Sequence, residues 1–189
     1  LPKQTIQSVM DTVDYCGYQL EKFKGDKRLT HFIAPISPFL DPGSLAYENP
    51  ERYGYHVLFR KVEDYRQALV SPSWQYSLNY ETDWMTRSEI AESAYEAIRR
   101  LIRLKAKYGV ISKEMAEVGE KRLDAAQAMM HRIEEILQGN NQAEELARIK
   151  TEVDRINAFP VSEKIQLELP VGLVKLKVLN YLWQWATGK

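Results

Sequence analysis

The chain has 189 residues, 44% of them hydrophobic and 28% charged, with 26 Lys plus Arg set against 26 Asp plus Glu. That balance removes the long-range field with which a protein gathers nucleic acid or an anionic membrane, so neither is expected as a partner. Cys16 is the single cysteine, which excludes an internal disulfide and a cysteine-built metal or cluster site, and no apolar run approaches the roughly 18 residues of a membrane span.

The size suits one domain, or one domain with an appendage, and a core large enough to need no staples. The opening "LPKQTIQSVM" lacks the basic start and apolar centre of a signal peptide, and a cytoplasmic location is expected. It also lacks an initiator methionine, which points to a piece of a longer chain.

Residues 3–24 carry Ile6, Val9, Met10, Val13, Cys16 and Leu20 at steps of three and four, the spacing of an amphipathic helix ending at Gly25. Cys16 on that stripe reads as a small buried hydrophobe. "LTHFIAPIS" follows with Phe32 and Ile33 adjacent, the pattern of a strand buried on both faces, closed by Pro35 and Pro38. "DPGS" (41–44) is a turn, with Pro42 presetting the second position and Gly43 supplying the positive φ of a type II turn at the third. "ENPERYGY" adds a second break and a stop at Gly54. "YHVLF" (55–59) is a short strand or extended packing, and "RKVEDYRQALV" (60–70) a short helix closed by Ser71-Pro72.

Thr86-Arg-Ser-Glu89 matches a capping box. From it Ile90, Ala94, Ala97, Ile98, Leu101, Ile102 and Lys105 trace one stripe towards Gly109. Ser112 starts a second long helix reaching about Gln138, with Met115, Val118, Ala126, Met129, Met130, Ile133 and Leu137 inward. "GNN" (139–141) breaks it, and a third helix over 142–157 repeats Leu146, Ile149, Val153 and Ile156. Short loops make the three antiparallel neighbours in a bundle. "FPVSEKIQLELP" (159–170) alternates like a short strand, and "VGLVKLKVLNYLWQWA" is an apolar helix carrying Trp183 and Trp185.

Few residues carry chemistry. His31, His56 and His131 fall on three separate elements without His-x-x-His or Glu-x-x-His spacing, so no metal site is expected, and His31 and His131 read as structural or solvated. G-x-G-x-x-G, G-K-[ST] and G-x-S-x-G are all missing, which leaves no catalytic residue to name. The carboxylates of "RIEEIL" and "QAEELARI" read as solvated helix faces with i,i+4 pairs. "SPSWQYSLNYETDW" (71–84) gathers Trp74, Tyr76, Tyr80 and Trp84 in an irregular stretch. Such a stretch either lines a ligand site as a lid or lies across the helices and buries its rings. Trp74, Trp84, Trp183 and Trp185 are the candidate interface anchors.

The segment Ser37-Pro38-Phe39-Leu40-Asp41-Pro42-Gly43-Ser44-Leu45-Ala46-Tyr47-Glu48, then Tyr53-Gly54, resembles the end of the last strand of the radical SAM barrel, where a pattern like "P-Y-PGT-x-LYE…GY" is common. "NYETDWMTRSEIAESAYEAIRRLIRLKAKYGVI" looks like the tail of the radical SAM proteins that carry an N-terminal cobalamin-binding domain. The resemblance covers about residues 5–138 and is most specific in 31–55 and 79–111. The family's Cys-x-x-x-Cys-x-x-Cys motif, the cobalamin-binding segment and the first five βα units are absent from these 189 residues.

The periodicity gives a mainly α chain, a bundle of about three long helices plus a C-terminal helix, and the resemblance places before it a short αβ remnant of a βα barrel. Residues 1–55 would be the last αβ unit and its exit loop, and 56–189 the helical C-terminal domain. It implies a parent enzyme using a 4Fe-4S cluster, S-adenosylmethionine and cobalamin, with no cofactor held by this part and no turnover by it alone. The rest of the parent chain would be its partner, and the exposed strand 30–36 would either pair with a second copy or detach from the bundle. Catalytic loops of such barrels gather at the strand C-termini, which makes Ser37, Asp41, Gly43 and Ser44 candidate lining residues, with Asn79, Tyr80 and Glu81 folding back over the mouth. Asp41–Ser44 as no more than the turn that launches the tail is the other reading. A free-standing helical interaction module is the alternative function.

Overall fold

The computed structural model describes residues 3–29, 31–32 and 40–157. Ser37, most of the expected strand at 30–36 with its pairing to a second copy, the expected strand within 159–170, and the C-terminal helix with Trp183 and Trp185 lie outside the described residues. The chain is mainly helical, as expected, with a two-stranded antiparallel sheet.

Helix α1, Ile6–Lys22, starts where Thr5 and Ser8 exchange side-chain and backbone hydrogen bonds. After the described pair His31–Phe32, which forms no regular element and leaves Phe32 77% exposed, the chain resumes at Leu40. α2 is a single turn, Leu45–Glu48, followed by a 3-10 turn at Pro50–Tyr53. Strand β1, Tyr55–Val57, pairs with β2, Tyr80–Thr82, in the register Tyr55–Thr82, His56–Glu81 and Val57–Tyr80. Between them lie α3, Val62–Leu69, and a 3-10 turn at Trp74–Ser77.

The long helices are α4 (Arg87–Lys107), α5 (Lys113–Gln138) and α6 (Gln142–Asn157). The expected box at Thr86 and Glu89 forms in both directions, and Ser112 caps α5 through the Met115 amide. Arg99 reaches Asp124 and Arg103 reaches Glu120, so α4 and α5 run antiparallel. Arg132 reaches Glu152, and α6 returns along α5. α1 runs parallel to α4 instead: Met10 and Val13 pack on Ala97, Gly17 faces Leu104, and the Tyr108 hydroxyl donates to Glu21.

This places α4 between two helices, and the single stripe expected on it is too narrow. Ala91, Ser93, Tyr95, Ala97, Leu101 and Lys105 are buried, while Ile90, Ala94, Ile98 and Ile102 are half-buried. On α5 the expected stripe holds except at one position. Val118, expected inward, is exposed, and Ala116, Leu123, Met129, Met130 and Ile133 are buried. Next to Val118 lies Gly119, where a Cβ would stand 3.3 Å from the Ile102 side chain. The bare backbone there leaves room for the Ile102 side chain. α6 follows its expected pattern, with Ile149 and Val153 buried against Met129 and Ile133, and Leu146 and Ile156 flanking them.

Candidate functional site

The candidate lining residues meet where the chain leaves residue 40 and enters the hairpin. Asp41–Ser44 forms the expected turn, with Gly43 at φ 83° and the Ser44 amide donating to the Asp41 carbonyl at 3.0 Å. A Cβ on Gly43 would touch nothing within 4 Å, so the glycine is needed for its dihedral angle rather than for space. Asp41, Pro42 and Gly43 are exposed. The Ser44 hydroxyl is spent on capping α2, accepting from the Tyr47 amide at 3.2 Å.

Asn79 is fully buried and binds this turn from below. Its Oδ1 accepts from the Leu40 amide at 2.5 Å, and its Nδ2 donates to the Leu40 carbonyl at 3.0 Å and to the Tyr65 hydroxyl at 2.8 Å. One side chain thus does for Leu40 what a neighbouring strand would do. Tyr65 is held in turn by Tyr47, and burial followed by that hydroxyl raises its phenol above the ordinary range. The Arg60 guanidinium lies 4.6 Å over the Tyr47 ring and donates to the Tyr47 carbonyl.

Tyr80 sits in the same core as Leu40, Ala46 and Tyr53, its ring edge-on to Tyr55 at 5.2 Å. Burial, with Tyr55 adding to it, pushes its phenol to about 12. Glu81 alternates to the other face of the hairpin and accepts from the Arg87 amide at 2.9 Å, holding the first turn of α4. The structure therefore gathers Asn79 and Tyr80 with residues 40–46 and turns Glu81 away from them.

The rings of 71–84 lie largely across the helices. Trp74 is half-buried, packs on both the hairpin core and the Ala91–Tyr95–Leu123–Met130 cluster, and donates its indole N–H to the Tyr95 hydroxyl at 3.1 Å. Trp84 is 36% exposed and stacks against Gly54, whose φ of 67° and missing Cβ together admit the ring. Beside it, His56 and Asp83 meet at 2.7 Å in solvent. Among the described residues no group of three His, Cys, Asp or Glu could hold a metal. Cys16 is half-buried on α1, and burial raises its thiol, which makes it a poor nucleophile.

One cluster escaped the sequence reading. At the α4–α5 crossing Glu92, Gln127, His131 and Glu134 converge with Ser88 and with Gln75 from the 3-10 turn. Glu134, read as part of a solvated face, is half-buried and accepts from both Gln75 and Ser88 at 3.0 Å. The spacings Ser88–Glu92 and Gln127–His131–Glu134 were the available signal, since each keeps to one helix face. The carboxylates of α6 do form surface pairs, with Arg148 bound to Glu144 and Glu145.

No helix among the described residues is long and apolar enough to cross a membrane. No family model, curated protein or solved structure matches this chain.

Proposed function

We propose that the chain is the C-terminal region of a cytoplasmic, cobalamin-dependent radical SAM enzyme, whose role is to complete the barrel and cover its mouth. The observation that carries the reading is the pair of motifs described above, "FLDPGS…YGY" and the tail beginning "NYETDWMTRSEI". Asp41, Pro42 and Gly43 support it by standing exposed on a turn that Asn79, Tyr65 and Tyr47 hold rigidly to the helical part. A rim loop that must keep its shape against a reacting substrate needs such backing.

The described residues do not fit the iron–sulfur cluster themselves: the lone thiol is that of Cys16, half-buried with its pKa raised, and no ligand group surrounds it. Its ligands, and those of cobalamin and S-adenosylmethionine, would stand in the rest of the parent chain, which is the partner on this reading. The test is the coding sequence directly upstream of residue 1. A Cys-x-x-x-Cys-x-x-Cys within about two hundred residues, roughly one barrel, is expected, and its absence there ends the proposal.

A helical interaction module is the second reading. Its support is the outer side of α3 and its exit, where Val62, Leu69 and Val70 are 86%, 67% and 72% exposed. Val62→Asp and Leu69→Asp should then abolish capture of a defined partner while leaving the helical circular dichroism unchanged. Retained capture by both variants sinks it.

A further inference from the structure

The Glu92–His131–Glu134 cluster has an arrangement that surface ion pairs lack. Each carboxylate has one oxygen fixed by neutral donors and the other turned to the same imidazole. Glu92 Oε2 accepts from Gln127 Nε2 at 2.5 Å, and Glu92 Oε1 lies 2.9 Å from His131 Nε2. Glu134 Oε1 accepts from Gln75 and Ser88, and Glu134 Oε2 lies 3.8 Å from His131 Nδ1. Gln127 is oriented by Arg99, which donates to its Oε1 at 2.7 Å. Glu92 Oε1 is buried and accepts no hydrogen bond, so the ring is its ionic neighbour rather than a geometrically formed donor. The ring itself is half open to water and can exchange protons with it.

We propose that His131 is a proton-operated latch that joins α4 to α5 and, through Glu134 and Gln75, holds the aromatic 73–77 segment against both. A charged imidazole answers a carboxylate on each side and supplies the charge that the buried Glu92 oxygen lacks. A neutral one leaves one nitrogen as an acceptor facing a carboxylate. Gln75 is 1% exposed with its Oε1 unpaired, and Glu134 ties its amide to α5, while Tyr95 and Arg87 hold the neighbouring Trp74 and Tyr76.

The other charges around the ring are already engaged. On α4, Arg99 binds Glu96 and Asp124 and Arg100 binds Glu96; Tyr95 stands next to Glu92. On α5 and α6, Arg132 binds Glu152, and from the aromatic side Arg87 lies over Tyr76, which faces Glu134. Only Glu92 and Glu134, among the described residues, meet the ring as ion pairs.

A charged ring pairs with both carboxylates and a neutral one does not, so the latch is closed at acid pH and opens as pH rises through the imidazole range of roughly 5 to 8. The experiment is nuclear magnetic resonance on the full 189-residue chain from pH 5.5 to 8. The Trp74 indole N–H and the amides of 73–77 are expected to move in step with the His131 ring. Their exchange protection, corrected for intrinsic rate, should fall about tenfold across the range, a coupling near the lower end for linked groups. His131→Gln should remove that dependence, and the isosteric Glu92→Gln gives a second route if the first variant folds poorly. A wild-type His131 that titrates while 73–77 stay still overturns the latch, as does a pH dependence that survives both substitutions.

Discussion

Replacing Asn79 by alanine tests whether a side chain stands in for a strand at the exit of residue 40. The change removes three hydrogen bonds, two to the Leu40 backbone and one to the Tyr65 hydroxyl. Each is worth about 1 kcal/mol net, and more where the abandoned partner stays buried. Leu40 is half-buried, so water reaches part of what is left, and about 3 kcal/mol in total is expected. With a urea slope of about 2–3 kcal/mol/M for a chain of this size, the unfolding midpoint should fall by about 1 M. Asn79→Asp adds a pH signature. It keeps the acceptor for the Leu40 amide but sets a carboxylate against the Leu40 carbonyl at a site with no exposure. Burial raises the carboxyl pKa there, so the variant should be weaker than Asn79→Ala at neutral pH and recover as pH falls and the group protonates. An alanine variant with a midpoint within about 0.2 M of wild type, on the same slope scale, would refute the reasoning.

Gly54→Ala should force the Trp84 ring out of place and strain a left-handed residue, costing about 1–2 kcal/mol from the backbone alone, with a red-shifted tryptophan emission as the readout. Met130→Ala, at a position 1% exposed, should cost about 2–5 kcal/mol in urea unfolding. Val118→Ala, at 42% exposure, should stay within about 0.5 kcal/mol, and equal costs would overturn the outward placement of Val118. An ultraviolet titration should find Tyr80 ionising last, near 12, absent in Tyr80→Phe. Because its folded pKa is raised, its contribution is whole below the unfolded value of about 10 and is lost as pH climbs through 12.

The bundle was legible wherever local chemistry decides. Thr86 with Glu89, Ser112, Gly43 and the 142–157 repeat each appear where capping, turn and periodicity rules put them. What escaped depends on partners far along the chain. β2 has three residues, too few for an alternation window, and becomes a strand because Tyr55–Val57 lies beside it. The burial of Ser93 and Tyr95 comes from α4 having neighbours on two sides, while Lys105 falls inward as its place on the stripe implied. At the candidate site the residue types of Asn79 and Tyr80 drew notice, but their engagement with Leu40 and Tyr55 could not be read, because it spans 39 and 25 positions.

The parallel seating of α1 on α4 has a consequence for synthesis. Gly17 and Leu104, which touch in the fold, are 87 positions apart. α1 is made well before α4, and its apolar stripe of Met10, Val13 and Leu20 finds its cover only when the end of α4 emerges. At roughly 5–20 residues per second that interval is about 4–17 s, long compared with the microseconds in which a single helix forms. During it the nascent chain carries an uncovered greasy helix. A chaperone that scans for such helices would have those seconds in which to bind this one.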